Sequence, residues 1–116
     1  MFIYHITERL QYEETIKTGA YYPSDYEKDG FIHCSTREQV LQVANRFYAH
    51  ASDLVLLELT PSKLIPEVIF ENLEGNDEKF PHVYGKINLD AINCVYRLNR
   101  PETGGYVFPK FENILS

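Results

Sequence analysis

The sequence has no tryptophan, one methionine and only two cysteines among its 116 residues. Cys34 and Cys94 lie far apart and form no CxxC pair, so we expect two buried free thiols in a reducing cytosol. The N-terminus has no basic segment followed by an apolar run, and no secretory signal is expected. These absences predict a cytoplasmic protein.

Long apolar runs and positive charge are also scarce. No run approaches the roughly 18 apolar residues of a membrane span, so no membrane association is predicted. Eleven Lys and Arg against seventeen Asp and Glu give a net charge of −6. Because long nucleic acids need a basic footprint, we expect no nucleic-acid partner, although one small phosphorylated ligand is compatible with this charge. We expect a monomer or a small homo-oligomer.

The composition is that of an ordinary globular protein, with 44% hydrophobic and 14% aromatic residues. The length predicts a single domain over residues 1–116. The tail, residues 101–116, contains the aromatic stretch YVFPKF and is expected to pack on the body of the domain.

The first third of the chain predicts a strand, a helix and a loop. Phe2–Thr7 is short, apolar and aromatic, as is typical of a strand. Residues 8–18 predict a helix that buries Leu10, Tyr12 and Ile16. The stretch YYPSDYEKDG then predicts a loop.

A second helix is predicted directly after the strand FIHCS. Ser35-x-x-Glu38 matches a capping box, and Thr36-x-x-Gln39 offers the next frame. Its buried side follows helical spacing and consists of Val40, Val43, Ala44, Phe47 and Tyr48.

The second half of the chain predicts mainly strands. Asp53–Thr60 is apolar on both faces and predicts a central strand. Glu67–Leu73 and Asn93–Arg100 predict further strands, and residues 74–79 form a polar loop. Early helices followed by several strands predict an α+β domain, with two principal helices on a mainly antiparallel sheet.

Three strands each place a histidine two residues before a hydroxyl-bearing residue. The pairs are His5 with Thr7, His33 with Ser35, and His82 with Tyr84. Since residues two apart share one face of a strand, each pair should point the same way. If the three strands are neighbours, these six side chains line a ligand-binding pocket.

Purely structural interpretations of these polar residues remain open. Ser35 is suited to capping the second helix, and a single buried histidine is often a satisfied core residue. His82 could hydrogen-bond a loop. Glu71 lies in an apolar strand, where burial of an unpaired carboxylate is costly, so it either faces water or has a partner in the pocket.

The motifs of several enzyme classes are missing. The three histidines and Glu71 could ligate a metal, but HxH and HExxH are absent and no metal is predicted. A GxSxG elbow, a GxGxxG turn and a Walker loop are absent too. What remains is a neutral pocket of His, Ser, Tyr and Glu, whose groups suit hydrogen bonds to ribose hydroxyls or an amide and stacking on a ring.

Five motifs between about Phe2 and Leu98 carry a family resemblance: IYHIT, GFIHCS followed by QV and a helix, VLLEL, a late FE, and FPHVYGKINLDAI. Together they resemble the small, uncharacterised bacterial family filed as domain of unknown function 952. More distantly, the HIT motif and the later H-x-S resemble the ADP-ribosyltransferase-like fold. The RNA 2'-phosphotransferases, which use NAD, are the most similar group of that fold.

The distant resemblance implies roles in NAD binding. His5 would hold the nicotinamide-side ribose, His33 would line the nicotinamide pocket, and Glu71 matches a late acidic position of the superfamily. His82 and Tyr84 belong to the family motif alone.

Departures from the phosphotransferase pattern argue against RNA phosphotransfer. Ile6 replaces a small glycine after the first histidine, and Tyr4 stands where those enzymes have a basic residue. Arginines that would grip an RNA 2'-phosphate have no evident equivalents.

Two functional hypotheses follow. The first is a module that binds a nucleotide-like or other small ring-bearing metabolite without chemistry. The second is an enzyme, an NAD-dependent ADP-ribosyl transferase or NAD glycohydrolase, with NAD as its cofactor. In the enzyme, Glu71 would be catalytic and would stabilise the developing oxocarbenium charge.

Overall fold

Nine strands and three α-helices make up the described part of the fold. The computed structural model describes residues 1–73, 75, 77–100 and 104–115. In chain order the elements are β1 (Ile3–Glu8), α1 (Arg9–Ile16), β2 (Ala20–Tyr21), α2 (Tyr26–Asp29), β3 (Ile32–His33), β4 (Ser35–Thr36), α3 (Val40–Phe47), β5 (Leu54–Leu59), β6 (Glu67–Glu71), β7 (Phe80–Tyr84), β8 (Ile87–Asn88) and β9 (Ile92–Leu98).

The longest strands form one antiparallel sheet in the order β4-β1-β5-β9. All six residues of β5 are buried because it is an inner strand of this sheet. The central strand predicted over Asp53–Thr60 is therefore present. A 3₁₀ turn at Pro61–Lys63 follows it, where proline cannot continue the ladder.

Two smaller antiparallel sheets complete the fold. One has the strand order β3-β7-β6, and the other pairs β2 with β8. Strand β3 ends at His33 and β4 begins at Ser35, so Cys34 is the point where the chain passes from the small sheet to the large one. The predicted single strand FIHCS is thus two short strands in different sheets.

The hydrophobic core lies on both faces of the large sheet. One cluster includes Ile3, Val55, Leu57 and Val83, and α1 contributes Tyr12 and Ile16 to it. The other cluster packs against α3 and the C-terminal segment. Its members include Tyr4, Leu56, Ala44 and Tyr106.

The predicted second helix begins later than its sequence motif indicates. Ser35 pairs with Tyr4 in the ladder between β4 and β1, so the backbone is extended there and Ser35 does not cap α3. The second candidate capping box, Thr36-x-x-Gln39, forms one of its two reciprocal bonds: the Thr36 N–H donates to Oε1 of Gln39 at 3.0 Å. Pairing with a distant strand outweighs the local capping signal.

Two further helix predictions need correction. Leu10 is 63% exposed, so the buried side of α1 consists of Tyr12, Thr15 and Ile16. Phe47 is 62% exposed, although Val40 and Ala44 of α3 are buried as predicted.

The predicted loop YYPSDYEKDG contains the single-turn helix α2. Gly30 ends this helix in the left-handed conformation, with φ of 80°, and its N–H donates to the Tyr26 carbonyl at 2.7 Å. Gly30, which the sequence predicts as a turn residue, is thus the C-terminal cap of a short helix.

The α+β class with a mainly antiparallel arrangement is confirmed. None of the helices in the described residues has the length and apolar character of a membrane span. In the C-terminal segment, Tyr106 is buried and donates a hydrogen bond from its hydroxyl to the Tyr48 carbonyl at 2.7 Å. Residues 101–103 and 116 of the predicted tail lie outside the described residues.

Candidate functional site

A cavity of about 490 Å³ opens where the large sheet, the β3-β7-β6 sheet and α3 approach one another. Six of the seven residues singled out in the sequence line it: His5, Thr7, His33, Ser35, Glu71 and His82. Tyr84 is not part of the lining. It reaches the site through a hydrogen bond from its hydroxyl to the Glu71 carboxylate.

Strand pairing explains how two of the histidines meet. His33 of β3 lies directly opposite His82 of β7, and cross-strand partners have neighbouring side chains on the same sheet face. Their ring centroids are 5.4 Å apart. Phe31 stacks on the His82 ring at 4.3 Å and contacts the His33 ring at 4.7 Å. The small sheet therefore holds both rings in one aromatic cluster.

His5 is enclosed by hydrogen bonds within the protein. Its Nδ1 lies 2.6 Å from the His33 carbonyl, which can only accept, so Nδ1 carries the proton. Its Nε2 therefore accepts from the Tyr21 hydroxyl at 2.8 Å. Burial lowers the pKa of His5 from 6.5 to about 4, and the bond to the His33 carbonyl opposes that shift. His5 is thus a neutral brace between β1 and β3.

Glu71 holds His82 in one tautomer. The His82 Nδ1 lies 2.9 Å from Oε1 of Glu71, and the Tyr84 hydroxyl donates to the same oxygen. Both bonds lower the pKa of Glu71, and the bond from Tyr84 has the larger effect. The ionised carboxylate can only accept, so Nδ1 of His82 carries a proton, and in the neutral ring Nε2 presents a lone pair.

Two nitrogen or oxygen atoms on buried side chains of the cavity wall have no hydrogen-bond partner among the described residues. They are Nε2 of His82 and Oγ of Ser35, whose residues are each 5% exposed. Every fully buried polar side-chain atom in the described chain has a partner. Both atoms must therefore keep contact with open space, and the space they border is the cavity.

Three other polar groups on the wall, those of Thr7, Cys34 and His33, are less available. Thr7 hydrogen-bonds the Tyr21 hydroxyl. Burial raises the pKa of the Cys34 thiol, which makes it a neutral and poor nucleophile. His33 is half exposed and its Nε2 lies 3.2 Å from the Asp29 carboxylate.

Sequence reasoning missed several lining residues. The acidic ones are Glu8, Asp25 and Glu78, and the aromatic ones are Tyr4, Phe47, Tyr48 and Phe80. Glu8 ends the HIT strand, and Asp25 lies just before α2. Neither position has a local signal that distinguishes it from an ordinary surface carboxylate. Phe47 and Tyr48 had a signal, their helical spacing, but it predicted core positions rather than a cavity wall.

The cavity has an acidic character. Four of its described lining residues are carboxylates, and none is lysine or arginine. The described residues contain no group of three or more His, Cys, Asp or Glu side chains arranged to hold a metal ion. The wall therefore offers stacking surfaces, hydrogen-bond acceptors and negative charge, without a cationic cradle for phosphate.

Comparison with known proteins identifies relatives but no activity. The crystal structure of protein CC0527 from Caulobacter crescentus is 25% identical, covers 92% of this chain and 94% of its own, and has a TM-score of 0.81. Its solution NMR structure is also 25% identical, covers 90% of each chain and has a TM-score of 0.72. No curated protein matches the chain.

The family comparison tests the predicted resemblance directly. Residues 6–95 match the family described as "Protein of unknown function (DUF952)". The matched segment contains most of the strands and all of α3. The prediction based on IYHIT, GFIHCS and FPHVYGKINLDAI is confirmed. The chain belongs to this family.

Proposed function

We propose that the cavity binds a small ring-bearing metabolite of nucleoside-like size. Ligand sites usually enclose about 300–1,000 Å³ and combine apolar or aromatic walls with a few placed polar groups. The volume of about 490 Å³ fits that range. The ring faces of the wall suit stacking, and its polar groups suit donors and acceptors of a heterocycle or a sugar.

The unpartnered Ser35 hydroxyl is the observation that carries this proposal. A hydroxyl that borders open space hydrogen-bonds water, so a ligand that displaces the water must replace that bond or lose affinity. Ser35 is held in place by the β4–β1 ladder, yet its side chain bonds to no described residue. A ligand group in the cavity would supply the missing partner. His82 Nε2 offers a second such position.

An NMR titration with adenosine, nicotinamide and NAD, each added separately, tests the proposal. Binding of at least one probe should shift backbone amide signals at Ser35, His33 and His82. In Ser35→Ala, we expect about fivefold to tenfold weaker binding, equivalent to about one hydrogen bond, with little change in stability.

Ser62→Ala is the matched control because Ser62 lies in the 3₁₀ turn after β5 and does not line the cavity. It should bind like the unchanged protein. The proposal fails if none of the three probes shifts the cavity signals at millimolar concentration. It also fails if Ser35→Ala binds as well as Ser62→Ala.

NAD cleavage is the second candidate function. Glu71 favours it, because an ionised carboxylate on the wall could stabilise the oxocarbenium charge that develops as the nicotinamide–ribose bond breaks. The ADP-ribosyltransferase-like resemblance belongs to this candidate. The absence of lysine and arginine from the described lining argues against it, since the NAD pyrophosphate would have no cationic partner there.

Release of nicotinamide from NAD tests this candidate. In the hydrolytic form, water adds to the ribose carbon as nicotinamide leaves, giving ADP-ribose and a proton. If Glu71 is catalytic, Glu71→Gln should abolish release while Glu67→Gln, on the same strand but outside the lining, retains it. Equal release by both variants contradicts the role of Glu71.

A further inference from the structure

We propose that the cavity selects a cationic ring ligand, such as a pyridinium or a protonated ring-bearing amine, over a neutral or phosphorylated one. This inference rests on the proposed function and specifies the chemical class of its ligand. Three features of the described wall support it: its charge, its ring faces and its unpartnered acceptors.

The described wall has acidic side chains but no lysine or arginine. Its carboxylates are Glu8, Asp25, Glu71 and Glu78. They come from four separate segments, namely the end of β1, the turn before α2, the end of β6 and the loop before β7. A cleft lined by one sign of charge concentrates ligands of the opposite sign. The negative potential therefore results from the fold and not from one acidic run in the sequence.

The protein's own cations leave most of the cavity rings uncovered. Among the described residues, Arg37 lies over Phe108, Lys86 over Tyr22 and Arg100 over Tyr106, and none of these rings lines the cavity.

Arg46 lies over Phe47 at 5.2 Å and is the one cation in the described part of the chain that reaches a ring of the lining. Among the described residues, no cation stacks on the half-buried lining rings of Tyr48 and Phe80, whereas the third ring, Tyr4, is buried against Phe108. A cationic ligand could stack on these faces, an interaction that contributes about 0.5–2 kcal/mol.

The unpartnered atoms indicate a ligand that donates hydrogen bonds. Because Glu71 holds the His82 proton on Nδ1, Nε2 can accept from an N–H or O–H of the ligand. Ser35 can donate or accept. A ring with an amide or amine substituent supplies such a donor, whereas a phosphate dianion would meet a lone pair and carboxylates.

Three forms of one ring separate charge from shape. The probes are nicotinamide, nicotinamide methylated on its ring nitrogen, which is a cation, and nicotinamide methylated on a ring carbon, which is neutral. All three retain the carboxamide donor. We expect the cation to bind at least fivefold more tightly than either neutral probe by NMR titration. The preference should shrink at about 1 M NaCl, where the Debye length is about 3 Å.

Carboxylate variants test where the preference originates. The double variant Glu8→Gln and Asp25→Asn should lose most of the cation preference while its affinity for neutral nicotinamide stays within about twofold. Glu112→Gln is the matched control, because Glu112 is exposed and lies outside the cavity lining. It should retain the full preference.

The outcomes distinguish this inference from the proposed function. If a neutral probe binds as tightly as the cation, the charge inference is wrong and the ring-binding function stands. A cation preference that survives the double variant also overturns the inference, since these carboxylates then do not cause it. If none of the three nicotinamide probes shifts a cavity signal, the charge inference is wrong, and the ring-binding function fails only if adenosine and NAD also give no shift.

Discussion

Glu58 and Glu71 are two carboxylates with similar partners and different surroundings. Each accepts a hydrogen bond from a tyrosine hydroxyl, Tyr4 for Glu58 and Tyr84 for Glu71. Each also accepts one from a nitrogen donor, and for Glu58 this is the Asn93 side-chain amide at 2.7 Å. Glu58 lies 6% exposed in the inner strand β5, whereas Glu71 ends the edge strand β6 with its side chain 24% exposed.

The difference lies in what surrounds each network. Both oxygens of Glu58 have donors, so the charge in the core is compensated by partners that the fold itself supplies. The partner of Glu71, His82, still presents an unpartnered Nε2 to the cavity. A closed network stabilises the fold, whereas an open one leaves hydrogen-bonding capacity for a ligand. Changes at the two sites should therefore affect different properties.

Glu58→Ala should produce the largest loss of stability. It removes a buried side chain and leaves the Tyr4 hydroxyl without its acceptor. We expect the free energy of unfolding to fall by about 3–4 kcal/mol, measured by urea denaturation with circular dichroism.

Glu112→Ala provides the comparison, because this exposed carboxylate should change stability by less than about 0.5 kcal/mol. If both alanine variants are equally stable, the Glu58 network does not stabilise the fold. The contrast between the two carboxylates would then be lost.

Acid should destabilise the fold because His5 must be protonated. The loss of unfolding free energy should be similar to, or slightly smaller than, that of Glu58→Ala. The pKa of His5 is about 4 in the folded protein against 6.5 ordinarily, so the unfolded chain binds the proton first. The stability that depends on neutral His5 is complete above pH 6.5. It is lost as the pH falls toward 4, by about 3 kcal/mol at most.

The measurement for His5 is the free energy of unfolding between pH 7 and pH 4.5, in the unchanged protein and in His5→Gln. Subtracting the two curves removes the contribution of other titrating groups. A steeper fall of the unfolding free energy with acid in the unchanged protein than in His5→Gln supports a lowered pKa for the enclosed His5. Parallel curves would show that His5 titrates normally, and its role as a neutral brace would be wrong.

Local patterns predicted those features that depend on local chemistry. The apolar run LVLLEL predicted an inner strand, and the family motifs predicted the family; both are confirmed. The crossing of the chain between sheets at Cys34 could not be predicted, because it depends on two distant partners. The N–H of Cys34 donates to the Pro81 carbonyl, and Ser35 pairs with Tyr4.

The same limit applies to the cavity. The spacing of His5 and Thr7 indicated one shared face, but nothing in the sequence indicated that His33 and His82 would be cross-strand partners. The acidic wall was missed because its carboxylates come from separate segments. Such a surface exists only after folding, and a pattern within one segment cannot reveal it.

The smallest effect should appear in the open network, where Tyr84→Phe removes one donor to Glu71. Because the Tyr84 bond is the largest cause of the lowered pKa of Glu71, that pKa should rise toward 4.5 in the variant. The stability linked to Glu71 is present above pH 4.5 and is lost as the pH falls through the lowered pKa, so Tyr84→Phe should flatten the acid limb of the stability curve only slightly.

Carboxyl NMR titration of Glu71 measures this shift directly. Tyr26→Phe is the control, because Tyr26 lies in α2, outside the cavity lining, and is not among the causes of the Glu71 pKa shift. If Tyr84→Phe also leaves the Glu71 pKa unchanged, the Tyr84 bond does not hold the carboxylate ionised. The His82 bond would then account for the lowered pKa of Glu71, and the similarity to the doubly bonded Glu58 would end there.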